Sequence, residues 1–271
     1  MRARGFALRL IDYKYTYLLK RMPTSKILIS QVPPANQTPY SDLCQKYGVS
    51  IDFQPFFLIE PLSSREFRTQ RLSILDYSAI VFSARHTIDA FFAICEELRI
   101  KVPDTMKYFC TTEAVAVYLQ KHIVFRKRKI FYGTGTPASV LSLITAKHKG
   151  EKFLIATSGA GHNEEITNLF GEAKLDYATG VFVKPVSQDL KSIGLESYDV
   201  LVMCNPADLN SLRENFPSLD LSKFKIITFG RQIVKALEDA SVAIELKAPS
   251  PEAPSVAKAL ELYLQSGAAI K

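Results

Sequence analysis

Five short segments carry residue types suited to holding an anion: Ser83-Ala-Arg-His86, Thr111-Thr112, Thr157-Ser-Gly-Ala-Gly-His162, Asn205-Pro-Ala207 and Gly230-Arg-Gln232. Each follows a short apolar run and opens an amphipathic stretch, which places it at the carboxyl end of a strand where a helix begins. Backbone N–H groups and hydroxyls gather there, and parallel sheets bind ligands there. The same residues also serve as ordinary helix caps, and both readings stand for every loop. The Ser158-Gly-Ala-Gly-His162 turn is not a dinucleotide fingerprint, because Glu164 stands where a third small residue belongs. Gly133-Thr-Gly135 lacks the Gly-Lys-Ser/Thr ending of a nucleotide-binding loop, which argues against ATP. No G-x-S-x-G elbow and no Cys/His dyad can be read from the sequence. Cys44, Cys95, Cys110 and Cys204 form no C-x-x-C pair and sit beside Leu43, Ile94, Phe109 and Met203, as reduced core thiols do. His86, His122, His148 and His162 have no spacing suited to zinc. The chemistry on offer is hydrogen bonding to an anionic ligand rather than nucleophilic or metal catalysis.

The elements that must position these loops alternate as βαβ units do. Strands are expected over Lys26–Ser30, Ser78–Ser83, Lys107–Cys110, Lys129–Tyr132, Lys152–Thr157, Tyr198–Cys204 and Lys225–Phe229. Helices are expected over Thr38–Tyr47, Thr87–Leu98, Glu113–Gln120, Ala138–Lys147, Asn163–Phe170, Ala207–Phe216 and Gln232–Ala240, with Thr38 as the N-cap of the first and Pro39 at its first helical position. An internal repeat appears when strand-turn-helix units are compared. Ala79-Ile-Val-Phe-Ser-Ala-Arg-His86 resembles Val200-Leu-Val-Met-Cys-Asn-Pro-Ala207, Lys107 aligns with Ile226, and Lys26-Ile-Leu-Ile-Ser30 aligns with Lys152-Phe-Leu-Ile-Ala156, at offsets of 121, 119 and 126. The fold class is α/β: two related domains with mostly parallel sheets flanked by helices, joined by two extended linkers that end in proline. Residues 24–56 with 186–271 form one domain and 62–179 the other; 57–61 and 180–185 are the linkers, and 1–23 a basic extension. Two such linkers imply a hinge and a cleft.

Composition sets the outer limits. The chain has 271 residues, 47% apolar and 23% charged, enough for a buried core and inconsistent with disorder. No apolar run reaches the roughly 20 residues that cross a bilayer. The net charge of +7 is concentrated at the front, where Arg2, Arg4, Arg9, Lys14, Lys20, Arg21 and Lys26 face Asp12 alone. That arm could touch nucleic acid or anionic lipid, yet it reads more simply as a solvated extension, with Met22 a plausible start. Arg126-Lys-Arg-Lys129 is a second basic run; it lacks interleaved aromatics for base stacking and reads as a solvated loop.

Along the chain follow Lys26-Ile-Leu-Ile-Ser30, Pro55-Phe-Phe-Leu-Ile-Glu-Pro61, Ile80-Val-Phe-Ser-Ala-Arg-His86, Leu154-Ile-Ala-Thr-Ser-Gly159, Ile227-Thr-Phe-Gly230, Ala236-Leu237 and Ala248-Pro-Ser-Pro-Glu-Ala-Pro-Ser255. In order and spacing this series resembles the uroporphyrinogen-III synthase family over about Lys26 to Leu264. The resemblance implies a cytoplasmic, monomeric lyase of porphyrin biosynthesis that needs no cofactor. Its substrate would be hydroxymethylbilane, a linear tetrapyrrole bearing an acetate and a propionate on each ring. Closure in the interdomain cleft expels the hydroxyl, passes through a spiro intermediate and inverts the last pyrrole. The substrate-binding residues it implies are Ser83, Thr111, Thr112, Ser158, Gly159, Asn205, Arg231 and Gln232, with no residue assigned as general acid and no metal. Nucleic acid and membrane are not expected partners. The sequence departs from the family pattern at Phe182, where a linker tyrosine is usual, and at Glu113, Asn205 and Ile233, where hydroxyl-bearing residues are usual. These departures suggest the rival reading of a non-catalytic homologue that binds a tetrapyrrole or another anion.

Overall fold

A computed structural model describes residues 25–159 and 164–267. The amino-terminal arm with Met22, and Ala160 to His162 of the glycine-containing turn, lie outside the described residues. The elements are, in chain order, β1 (Lys26–Ile29), α1 (Thr38–Tyr47), β2 (Ser50–Phe53), β3 (Phe57–Pro61), α2 (Ser64–Thr69), β4 (Ala79–Phe82), α3 (Arg85–Glu97), β5 (Lys107–Cys110), α4 (Glu113–Tyr118), β6 (Ile130–Tyr132) and α5 (Pro137–Leu143). There follow β7 (Lys152–Thr157), α6 (Glu164–Glu172), β8 (Asp176–Val181), β9 (Val183–Ser187), β10 (Val200–Met203), α7 (Pro206–Asn215), β11 (Lys225–Phe229), α8 (Arg231–Asp239), β12 (Leu246–Ala248) and α9 (Val256–Gln265). The chain divides into two units, one of residues through Phe57 with Ser187 onward, the other Leu58–Val186.

The first unit holds a parallel sheet in the order β12-β11-β10-β1-β2. Alternate residues feed opposite faces, as the period of two requires. Ile27, Ile29, Val200 and Val202 pack with Leu43 of α1 and with Ala259, Leu260 and Tyr263 of α9. Leu28, Leu201, Met203 and Ile226 pack on the other face with Leu209 and Leu212 of α7 and Ile233 and Leu237 of α8. The second unit repeats the plan as β6-β5-β4-β7-β8. Ile80, Phe82 and Tyr108 meet Ile88, Phe91 and Ile94 of α3 on one face, while Val81, Phe109 and Phe153 meet Val140 of α5 and Phe170 of α6 on the other. Both faces of each sheet are covered, which is why the strands read as continuous apolar runs.

The two sheets correspond strand by strand, so the related halves expected from the repeat are present in topology. Ile27 pairs with Val200 and Phe153 pairs with Ala79, so two of the aligned offsets agree with the ladder register. The third slips by one. Val200 pairs with Lys225 where Ala79 pairs with Lys107, so Lys107 corresponds to Lys225 rather than to Ile226. The correction matters because a one-residue slip sends each side chain to the opposite face. It aligns Thr112, the N-cap of α4, with Gly230, the N-cap of α8.

Local boundaries also differ from expectation. Thr38 is already helical and Gln37 is the N-cap, while the Asn36 side chain accepts the Thr38 N–H at 3.0 Å. The helix expected to Lys147 ends at Leu143, and Ala146–His148 forms a separate 3-10 turn. Gly180 and Val181, expected as linker, complete β8 against Ala156 and Thr157. The extended return segment is β9, which pairs with β3. Each crossing segment is fixed by a fully buried phenylalanine. Phe56 sits in the first unit, its carbonyl accepting Gln188 N–H and the Ser211 hydroxyl; Phe182 sits in the second, against Phe67 and Phe91.

Candidate functional site

The candidate residues fall into two groups, one at the carboxyl edge of each sheet. In the second unit Ser83 follows β4 and is exposed, and its carbonyl accepts the Thr111 hydroxyl at 3.3 Å. Thr111 N–H donates to Phe82 O at 3.0 Å, and its own carbonyl accepts Gly135 N–H at 2.8 Å, so Thr111 ties the ends of three adjacent strands together. Thr112 spends its hydroxyl as the α4 cap, accepting Val115 N–H at 3.3 Å. Ser158 and Gly159 follow β7; both are half-buried, and Gly159 has φ +110°, where a side chain would be strained. The α3 N-terminus has no side-chain cap, because Ala84 occupies that position and the Thr87 hydroxyl donates back to Ala84 O at 2.7 Å.

The neighbouring Gly133-Thr134-Gly135 loop is closed internally. Ser139 Oγ accepts Thr134 N–H at 3.0 Å and donates to Thr136 O at 2.6 Å. A Cβ on Gly133 would stand 2.2 Å from that oxygen, so a side chain there would force Ser139 to shift and break both bonds. Glu113 lies in the first turn of α4, where its charge suits the helix end, and accepts the Tyr132 hydroxyl at 3.2 Å.

In the first unit the distribution of caps is reversed. Asn205 caps α7, its Oδ1 accepting Ala207 N–H at 2.9 Å, and Asp208 completes a capping box from the third helical position. Arg231 and Gln232 are exposed at the start of α8, which Gly230 leaves without a side-chain cap. Gly230 has φ +144°, and a Cβ there would stand 3.2 Å from Cys204 O. The sequence reading missed Ser30 and Asp208, which meet at this edge: Ser30 Oγ donates to the fully buried Asp208 Oδ2 at 2.7 Å. An acidic residue three places after an Asn N-cap was the one available local signal.

The arrangement offers donors rather than nucleophiles. Burial pushes the Cys95, Cys110 and Cys204 thiols up to about 12, so none forms a thiolate near neutrality. No group of His, Cys, Asp and Glu suited to a metal occurs among the described residues. Phe182 is wholly buried and presents nothing to solvent. Among the described residues no helix is long and apolar enough to cross a membrane.

The model of the family described as uroporphyrinogen-III synthase HemD matches residues 38–258. No curated protein matches by sequence. Among solved structures, uroporphyrinogen-III synthetase from Helicobacter pylori shares 13% identity, covers 90% of this chain and 100% of its own, and superposes with a TM-score of 0.51. A mutant uroporphyrinogen III synthase from Thermus thermophilus shares 14% identity over 90% of this chain and 99% of its own, with a TM-score of 0.49. At 13% identity the Helicobacter pylori structure speaks to the fold alone, and this chain shares it. The family match, extending from α1 into α9, shows that this chain belongs to the uroporphyrinogen-III synthase family of lyases.

Proposed function

We propose that the chain closes hydroxymethylbilane to uroporphyrinogen III, with loss of water and inversion of the last pyrrole ring. The observation that carries this is the family match across residues 38–258, and it favours the enzyme over a non-catalytic binder of tetrapyrroles or other anions. The eight carboxylates of the substrate call for dispersed donors, and Ser83, Thr111, Thr112, Ser158, Gly159, Asn205, Arg231 and Gln232 are the substrate contacts we infer. Their engagement differs. Thr112 and Asn205 already spend their acceptor atoms on helix caps, whereas Arg231 brings an exposed guanidinium to an N-terminus without a side-chain cap. Catalysis on this reading comes from holding the two ends of a flexible chain at reacting distance, which can replace a strong acid or nucleophile. We assign no general acid, and the leaving hydroxyl receives no phenol from position 182. A single copy acts in the cytoplasm, with no cofactor and no nucleic-acid or membrane partner.

The experiment is a coupled assay in which purified protein receives freshly generated hydroxymethylbilane and the porphyrin isomers are resolved after oxidation. Spontaneous closure yields the type I isomer, so the control is internal. Type III product above background is the expected result. Type I alone from a folded protein that binds the bilane overturns the assignment and leaves the non-catalytic binder.

A further inference from the structure

The turn from β10 into α7 is closed by its own side chains. Cys204 N–H and Asn205 N–H both donate to Asp208 Oδ2, at 2.8 and 2.9 Å. Ala207 N–H donates to Asn205 Oδ1 at 2.9 Å and Asp208 N–H to Asn205 O at 2.9 Å, while Pro206 has no N–H to offer. Asp208 Oδ2 also accepts the Ser30 hydroxyl from the end of β1, at 2.7 Å. The residue is fully buried, and its other oxygen, Oδ1, has no hydrogen-bond partner among the described residues. Asp208 thus fills from within the seat that an external anion takes at a helix N-terminus, and it ties two adjacent strand ends to one atom.

We propose that Asp208 is a positioning residue for the reaction proposed above: ionised, it holds the Ser30 strand end and the Cys204–Asn205 turn in a single arrangement, and its protonation loosens both. The inference rests on the synthase reading for its functional consequence and on the hydrogen bonds for its structural one. Burial pushes the carboxyl up to about 6, against the downward pull of the Ser30 hydroxyl and the two amides. The groups facing it carry no charge near that pH. They are the Ser30 hydroxyl from β1, the Cys204 thiol, itself pushed up to about 12, and, beyond Cys204, the Tyr40 phenol of α1, also raised by burial. No cation contributes to its environment among the described residues. The incoming proton goes to Oδ1, the oxygen without a partner. Oδ2 keeps its three donors, but as a neutral acceptor it holds them with roughly half the strength of charge-assisted bonds.

The test compares wild type, Asp208→Asn and Ser30→Ala in type III formation between pH 5 and 8, with thermal midpoints at pH 7.5 to establish folding. The wild-type KM is expected to rise about tenfold in acid, the difference between charged and neutral hydrogen bonds at one oxygen, with kcat changing less and a midpoint near 6. Asp208→Asn is expected to hold a flat KM at the acid-limb value, and Ser30→Ala to move the midpoint upward because the ionised form loses a donor. A wild-type midpoint retained in Asp208→Asn, or a flat wild-type profile, overturns the proposal. The Cys204 and Asn205 amide resonances supply a readout independent of turnover. They are expected to titrate near pH 6 in wild type and not in Asp208→Asn. Failure of those amides to titrate overturns the positioning role, whereas type I product alone overturns the synthase reading.

Discussion

The carboxyl edges of the two sheets share one topology and distribute their polar groups in opposite ways. In the first unit Asn205 caps α7, with Asp208 closing the capping box from inside, while α8 starts at Gly230 without a side-chain cap. In the second, Thr112 caps α4 while α3 starts at Ala84 without one. By ladder register Asp208 corresponds to Thr87 and Ser30 to Ala156, so the buried carboxylate tie of one unit has a local threonine back-bond as its counterpart. Related strands therefore do not dictate which helix end is left to meet an anion; that choice lies with two or three residues just beyond each strand.

The largest effect that separates the units is expected at their buried crossing residues. Phe182→Ala leaves a cavity among Phe67, Phe91 and the β4 face, and is expected to cost about 3–5 kcal/mol in denaturant unfolding. Phe182→Tyr, which reinstates the tyrosine that the family pattern leads one to expect, is the sharper variant. Its hydroxyl would be buried in an apolar cluster, so a loss of about 1–3 kcal/mol is expected without any gain in type III formation. A gain in rate would show that residue 182 reaches the substrate.

The buried titratable groups of the two units are expected to respond to pH with opposite sign. Asp208 has a folded value near 6 against 3.8 unfolded, so the folded state binds more protons between those limits. Its contribution is full in acid and is lost as pH rises through about 6. Asp208→Asn should therefore gain stability on the order of 3 kcal/mol at pH 8 and match wild type below pH 4. His148, in the second unit against Phe109 and Phe131, is held below 6.5 by burial and then by the Lys107 charge. There the unfolded state binds more protons, so stability is present above 6.5 and is lost as pH falls below it. Thermal midpoints of wild type, Asp208→Asn and His148→Gln across pH 4–8 separate the two slopes; parallel curves for all three would erase the contrast.

What could be read in advance follows the range of the interaction. Strands such as Lys107–Cys110 and Lys152–Thr157 were legible to the residue because burial on both faces leaves an unbroken apolar run. The order of the loops was legible for the same reason. The Ser30–Asp208 tie was not, since its partners stand 178 residues apart and Asp208 alone looks like an ordinary helix residue. Thr112 and Asn205 carried two readings that only hydrogen-bond partners separate. The slip between Lys225 and Ile226 arose because Ile226 and Ile227 are both apolar and β-branched, so the apolar run could be started one place along.

A smaller effect is expected at the caps that the register correction brings into correspondence. Gly230→Ala forces a side chain to φ +144° and to 3.2 Å from the Cys204 carbonyl, an expected loss of about 1–3 kcal/mol that also tilts the start of α8 carrying Arg231. Its KM for the bilane should rise with its instability, because the candidate anion seat and the strained residue are adjacent.

Thr112→Ala, at the corresponding position of the second unit, removes only the hydroxyl that accepts Val115 N–H and is expected to cost about 1 kcal/mol. The backbone there is extended, with φ −135°, so the substitution introduces no strain. If Thr112 serves α4 alone, Thr112→Ser restores stability and activity together, because the shorter hydroxyl caps equally well. If the residue also contacts the substrate through its methyl group, Thr112→Ser restores stability and leaves KM raised. The methyl lies 3.7 Å from where a Cβ on Gly135 would stand, so it already borders the loop after β6. The pair of variants thus decides whether this cap is part of the anion-binding edge or only its support.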